Sequence, residues 1–281
     1  MQYGLGAKAR KGAEFAATDY GTFVHYVLEN VLRERKGREV PGREQVSAVV
    51  KRYVEEQLGG LAGETARFRY LFRRLEKTVY AVVKNVCEEL ENSEFQPVAI
   101  ELGFGKKGEL PPVELTVDGV NVSVTGLVDR VDGWEKDGKL YLRVVDYKTG
   151  RKSFNFTDLW NGLGLQMLLY LFTLQEKGKS VFGDKEIVPA GVLYLPAREE
   201  PVAGSRSMTD QARQQAVDKQ LTRQGLVLDN ADVLSAMEHS GEGFRFLPLR
   251  VKTSGEITGE ALVSAERLGK LERHTRQILE S

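Results

Sequence analysis

Val124–Gly150 reads VTGLVDRVDGWEKDGKLYLRVVDYKTG, and its punctuation decides the fold. Asp137-Gly138, between two β-rich runs, is a strong two-residue hairpin turn, because both central positions need a positive φ that Asp and Gly tolerate. The turn sets the register. Lys136 pairs with Lys139, opposed residue numbers sum to 275, Asp129 falls opposite Asp146, and Leu127 falls opposite Lys148. Directly opposed residues share a face with Cβ atoms about 4.5–5.5 Å apart. One face is therefore expected to carry Leu127, Asp129 and Val131 beside Leu142, Val144, Asp146 and Lys148, apolar at the turn and charged at its far end.

Two carboxylates that close repel and raise a pKa unless a cation lies between them. Lys148 compensates one, and a divalent metal is the simplest compensator for the other. Magnesium suits such a site, since it takes one or two carboxylates and completes its shell with water and substrate phosphate. A structural Asp–Lys pair in a half-buried sheet is the alternative, but a second carboxylate at the same spot makes that pair worse.

Outward from the hairpin, the same patterning gives the rest of the chain. Residues 20–34 place Val24, Val27, Leu28, Val31 and Leu32 on one helical face, with Thr18 or Asp19 as cap. After the turn-rich KGREVPGRE, residues 43–92 read as helix with a break at Leu58–Gly63 and a long amphipathic segment from Thr65 to Leu90. Strands are expected at Val98–Phe104, Val113–Val117, Val122–Val131, Leu140–Tyr147 and Ile187–Leu195, with one helix from Asp158 to Glu176. Residues 197–224 are polar without period and read as a long loop. Two β-like runs, Gly225–Leu228 and Phe244–Val251, precede a last helix from Ala265 to Leu279. The order predicts an α/β fold, a mixed central sheet flanked by helices. It divides one domain, residues 1–281, into a helical part (14–92), a core (95–200) and a C-terminal extension (201–281).

Composition narrows the function classes. Forty Lys and Arg balance forty Asp and Glu, so any attraction to phosphate has to come from a local patch. Cys87 is the sole cysteine, which excludes an internal disulfide and a thiolate cluster for zinc or iron. No signal-peptide core opens the chain, and the longest apolar stretch, Leu163–Phe172, falls short of the ~20 residues a bilayer span needs. A soluble, cytoplasmic protein without a membrane partner is expected. GxxxxGK[ST] is absent, so ATP hydrolysis is not expected here.

Gly126-Leu-Val-Asp-Arg-Val-Asp132 followed by Val145-Asp-Tyr-Lys-Thr-Gly150 resembles the nuclease signature of the RecB and AddB helicase–nuclease family, and within it the AddB branch. The likeness runs along nearly the whole chain. It implies the PD-(D/E)XK (restriction-endonuclease-like) fold and a metal-dependent DNA exonuclease acting in double-strand-break repair and recombination. The cofactor is expected to be Mg2+, with Mn2+ as substitute. The partners are expected to be DNA and, in the longer protein, an AddA-type helicase subunit. Another RecB-family nuclease, or a non-catalytic DNA-binding scaffold of the same fold, is the alternative. Intact Asp129, Asp146 and Lys148 speak against the scaffold.

The resemblance also assigns roles. Gly21-Thr-Phe-Val-His25 is similar to the upstream histidine motif and makes His25 a metal ligand with Asp129, Asp146 and the Tyr147 carbonyl. The Tyr147 side chain belongs to the other face of the hairpin. Lys148 would orient water and offset charge on the phosphate. Gln166 and Tyr170, four apart on one helix face, match the QxxxY element that implies DNA contacts, and Arg151 is a candidate beside them. Arg67, Arg69, Arg73, Arg74, Arg143 and Lys152 are further phosphate candidates. Glu101 could give catalytic support or only strand structure. His239 and His274 read as surface residues. AddB-type domains hold an iron–sulphur cluster on one early and three late cysteines. With Cys87 in neither place, the chain reads as a truncated domain expected to lack that cluster.

Overall fold

The computed structural model describes residues 17–60, 65–117, 120–150, 155–161, 164–198, 208–239 and 243–280. Three helices come first, α1 (Ala17–Glu34), α2 (Arg43–Leu58) and α3 (Ala66–Glu91). The apolar face read for α1 is its buried face, with Val24, Val27, Leu28, Val31 and Leu32 all in the core. Full burial of each contributes about 1.5–3 kcal/mol relative to exposure. Because α1 starts at Ala17, Thr18 and Asp19 lie inside its first turn and not at a cap. Gly59, with φ of 68°, closes α2, and the Thr65 hydroxyl opens α3 by accepting from the Phe68 N–H at 3.1 Å.

Strands β1 (Gln96–Phe104), β2 (Val113–Val117), β3 (Val120–Val124), β4 (Gly126–Lys136) and β5 (Lys139–Lys148) follow. The run expected as one strand over Val122–Val131 is split at Thr125, so β2 and β3 form a separate ribbon. The helix expected over Asp158–Glu176 is also two, α4 (Phe156–Trp160) and α5 (Gln166–Lys177), with Gly164 in the left-handed region between them. A glycine there removes the Cβ penalty and ends the helical path, which makes Gln166 the first residue of α5.

The remaining elements are α6 (Lys179–Phe182), β6 (Glu186–Pro196), α7 (Asp210–Gln220), β7 (Gln224–Leu228), α8 (Ala231–Met237), β8 (Arg250–Val251), β9 (Ile257–Thr258), β10 (Leu262–Val263) and α9 (Ala265–Glu280). Helix α7 corrects the expected loop over 197–224, of which residues 199–207 lie outside the described residues. Its period rests on few apolar side chains, chiefly Val217 and Leu221, while Thr209 caps it by accepting from Ala212 N–H. The run Phe244–Val251 is strand only at its last two residues. The Glu238 carboxylate accepts from the N–H groups of Arg245, Phe246 and Leu247 and takes the donors a ladder would need.

The central sheet has six strands in the order β1-β4-β5-β6-β7-β10, with β5–β6 and β7–β10 parallel and the other pairs antiparallel. This is the mixed, helix-flanked α/β sheet read from the sequence. One face packs into a core with α1–α3 through Val145, Tyr147 and Leu193, and the other packs under α5 through Leu142, Val144 and Val192. Asp137 and Gly138 both have positive φ, and the ladder runs from Lys136↔Lys139 to Arg130↔Val145, the register the turn dictates.

Candidate metal centre

The β4–β5 ladder stops at Arg130↔Val145. One residue further, a side chain takes over, as Asp129 Oδ2 accepts the Tyr147 N–H at 2.6 Å. Its other oxygen, Oδ1, faces His25 Nδ1 at 3.2 Å. His25 Nε2 in turn lies 3.1 Å from the Tyr147 carbonyl. A histidine on α1, an aspartate on β4 and the backbone of β5 thus meet at one point. The Tyr147 ring is buried in the core under α1–α3, so its backbone alone serves the site, as the hairpin register implies. Gly21 brings α1 close to Thr149: a Cβ on it would stand 3.4 Å from the threonine hydroxyl.

Glu101 completes the group. Ligand atoms of His25, Glu101 and Asp129 all lie within 4.8 Å of one another. Glu101 holds φ of 56°, unusual for a residue with a Cβ. The face alternation of β1 slips there: Ile100 packs against the α1–α3 core and Leu102 belongs to the α5 core. The neighbouring strand slips alike, since Val128 and Val131 both enter the α5 core while Arg130 is buried among charged groups. The alternating face expected for β4 therefore fails at Asp129, and Leu127 is 51% exposed.

Asp146 does not join the tight group. Its carboxylate is held by Lys148, whose Nζ lies 2.6 Å and 2.9 Å from the two oxygens and over the Tyr194 ring at 5.9 Å. The expectation of both aspartates and His25 around a single gap is corrected accordingly. The tight trio uses Glu101, whose role the sequence left open, and Asp146 stands beside it with the lysine.

The electrostatics are those of an acid-rich pocket. Burial and then the Asp129 and Glu29 charges push the Glu101 carboxyl up to about 7. Burial and the Asp129 charge likewise raise Asp146, against Lys148. For His25, burial opposes the imidazolium, but the hydrogen bond and charge of Asp129 and the Tyr147 carbonyl outweigh it and raise the pKa. Three carboxylates face one histidine and one lysine. Hard oxygen donors with one imidazole are the donor set of a divalent cation, so the residues present fit such an ion.

The remaining candidates separate by burial. Tyr170 is 1% exposed, stacked on Phe104 with ring centroids 4.7 Å apart. Its hydroxyl accepts from Gln166 Nε2 at 2.8 Å and presses on Gly126, where a Cβ would stand only 1.6 Å away. Tyr170 is thus packed inside, and exposed Gln166 is the member of the pair that meets solvent. Arg143, a phosphate candidate by sequence, is fully buried and paired with Asp132 and Glu89, which removes it from any DNA surface. Arg67, Arg69, Arg73 and Arg74 are exposed. Arg151 and Lys152 lie outside the described residues. His239 is exposed and faces Glu94 at 3.2 Å, whereas His274 is half-buried.

A second charged cluster escaped the sequence. Glu89 on α3 accepts from Arg130 at 3.1 Å and Arg223 at 2.8 Å and meets Arg143 at 3.3 Å. Asp132 pairs with Arg130 at 2.9 Å and Arg143 at 2.8 Å. Asn85 accepts from Arg223. Half of this was available, because Asp132 and Arg143 are directly opposed in the hairpin register.

Comparisons with known proteins agree with this geometry. The family model of the PD-(D/E)XK nuclease superfamily matches residues 1–248. Among curated relatives, an ATP-dependent helicase/deoxyribonuclease subunit of Acetivibrio thermocellus is 32% identical over 100% of this chain and 25% of its own length. Proteins of the same name from Clostridium acetobutylicum and Clostridium novyi are 29% and 32% identical, each over 99% of the chain and 25% of their length. The chain spans about a quarter of the length of the relatives it matches. No helix among the described residues is long and apolar enough to cross a membrane.

Proposed function

Because the chain belongs to the PD-(D/E)XK nuclease superfamily, we propose that it is a divalent-cation-dependent deoxyribonuclease, hydrolysing DNA phosphodiester bonds with Mg2+, or Mn2+ in its place. The observation that carries this reading is the convergence of His25, Glu101 and Asp129 within 4.8 Å beside the Asp146–Lys148 pair. The ion would be held by His25, Glu101, Asp129 and the Tyr147 carbonyl, with Asp146 adjoining. Bound there, it would supply Lewis acidity toward a phosphate oxygen and toward water.

The chain's own groups divide the remaining work. Lys148 is positioned by the Asp146 carboxylate and the Tyr194 ring, so its ammonium meets a nonbridging phosphate oxygen without first being ordered. Asp146, raised in pKa and next to that ammonium, is the group to accept a proton from water at Oδ1 or Oδ2. Tyr147 N–H fixes Asp129, and Asp129 fixes His25. Exposed Gln166 is the candidate strand contact of the QxxxY pair, and Arg151 keeps its candidacy. By the names of the relatives, the longer protein works with an ATP-driven helicase subunit, as part of double-strand-break processing in the cytoplasm.

The test is digestion of linear DNA by the purified chain with Mg2+ or with EDTA. Cleavage that needs the ion and disappears in Asp146→Ala is expected. Binding without any ion-dependent cleavage would replace the enzyme by a scaffold.

A further inference from the structure

We propose that the outer face of α3 is a track for single-stranded DNA, which deepens the nuclease reading by naming where the strand lies on its way to or from the metal centre. Arg69, Tyr70, Arg73, Arg74, Lys77 and Lys84 fall on one arc of roughly 140° at 3.6 residues per turn, over a length of roughly 22 Å. Tyr80 is half-buried on the same arc, and the other six are exposed. From Ala66 to Lys84 the only acid is Glu76, which turns toward α2 and accepts from Ser47 at 3.0 Å. Among the described residues, none of Arg69, Arg73, Arg74 and Lys77 has an acidic partner within salt-bridge distance. The chain is neutral overall, so this is a local concentration of charge and not a general one.

Three further features favour nucleic acid as the ligand. Arg67 and Arg69 stand near the start of α3, whose first turn has no acid, although the positive end of a helix dipole disfavours cations there. That placement works against the helix and is accounted for by an external anion. Tyr70 is 61% exposed with arginines around it, which is the pairing of flat aromatic and guanidinium that stacks bases while holding phosphates. At its other end the stripe opens into a cleft of about 380 Å³ between α3 and α7, lined by Arg43, Lys77, Tyr80, Lys84 and Arg245. Cations on successive helical turns follow a flexible phosphate backbone more readily than the rigid spacing of a duplex.

The proposal is tested by the anisotropy of a fluorescein-labelled oligothymidylate in EDTA, across a salt series, with the triple variant Arg69→Ala/Arg73→Ala/Lys77→Ala. Binding at low salt should weaken at least tenfold. The slope of log affinity against log salt should flatten by about 2, since each lost phosphate contact on a single strand removes about 0.7. Tyr70→Ala should weaken binding about tenfold, and Tyr70→Phe should preserve it. All these side chains are exposed, so thermal melts should match the parent. Ion-dependent hydrolysis of bis(p-nitrophenyl) phosphate, too small to reach the stripe, should be unchanged in the triple variant. Loss of oligonucleotide binding when even the parent hydrolyses nothing leaves the track standing and removes the nuclease reading. Unaltered affinity and salt slope, with hydrolysis intact, overturns the track and gives the stripe to an acidic protein partner.

Discussion

The hairpin β4–β5 carries two charge clusters that begin one residue apart, Asp129 in one and Arg130 in the other, and they are built to opposite rules. The inner cluster sets three guanidiniums against Glu89 and Asp132, with every member at most 4% exposed. Phe95 and Phe246 rings lie against Arg143 and Arg223 at 5.3 Å and 5.1 Å. Its charges satisfy one another, and nothing from outside is needed or admitted. The outer cluster gathers Glu101, Asp129 and Asp146 around His25 and Lys148, half open to solvent, with acids in excess. Burial of charge is common to both. Incomplete compensation is what marks the outer cluster as a place where something binds.

The contrast is broken most forcefully at Glu89. Removing one partner of a buried pair leaves stranded charge, so Glu89→Ala should cost about 3–5 kcal/mol in urea unfolding. A loss under about 1 kcal/mol would mean the guanidiniums reach water or one another's neighbours instead. Burial works against the Glu89 carboxylate, but three guanidiniums hold it well below its usual range. Its contribution is therefore present above the ordinary carboxylate pKa near 4.5 and is lost as pH falls below it, which Glu89→Gln should abolish.

In the outer cluster the expected losses are of rate. Lys148→Ala should reduce DNA cleavage about 100- to 1000-fold while leaving the unfolding midpoint close to the parent, because the lost interaction is with charge on the reacting phosphate. Kinetics and a melt on one sample check both halves. Next comes the response to added ion. Mg2+ at a hundred times its dissociation constant should stabilise the parent by about 2.7 kcal/mol. Glu101→Gln should shrink that increment, whereas Glu89→Gln, however unstable, should keep it. An equal increment in Glu101→Gln and the parent would take Glu101 out of the ion's shell.

The smallest effect sharpens the boundary between scaffold and site. Gly126→Ala drives a methyl into the Tyr170 hydroxyl and should cost about 1–3 kcal/mol, the usual range for overpacking. Tyr170→Phe in the same chain should recover part of it, because the ring carbon would still stand 2.7 Å from the added Cβ. A double-mutant cycle with no coupling would show that the ring moves aside freely.

How much of this was legible depends on whether a residue's partner lies near it in sequence. Asp137-Gly138 fixes its own turn, so the register, the neighbouring strand residues and the backbone role of Tyr147 could all be read. Asp132 opposite Arg143 follows from the same count, yet Arg143 looked like a phosphate ligand because its third partner, Glu89, comes from a distant helix. Glu101 was ambiguous for a different reason: strand alternation assumes a negative φ, and its φ of 56° breaks that assumption. Tyr170 was misplaced because i, i+4 spacing gives a shared helix face without saying whether Gly126 lies beneath it. Helix α7 hid behind polar composition, since Val217 and Leu221 are nearly all that it buries.

One hydrogen bond has a practical consequence. Where backbone pairing ends, the Asp129 carboxylate holds the Tyr147 amide, so it serves as the last rung of the ladder as well as a ligand. A variant made at Asp129 to capture uncut DNA would also let two strand ends part, and its silence would confound chemistry with fraying. The clean inactive reagent for trapping substrate is Lys148→Ala, whose side chain hangs on the site without stitching the sheet.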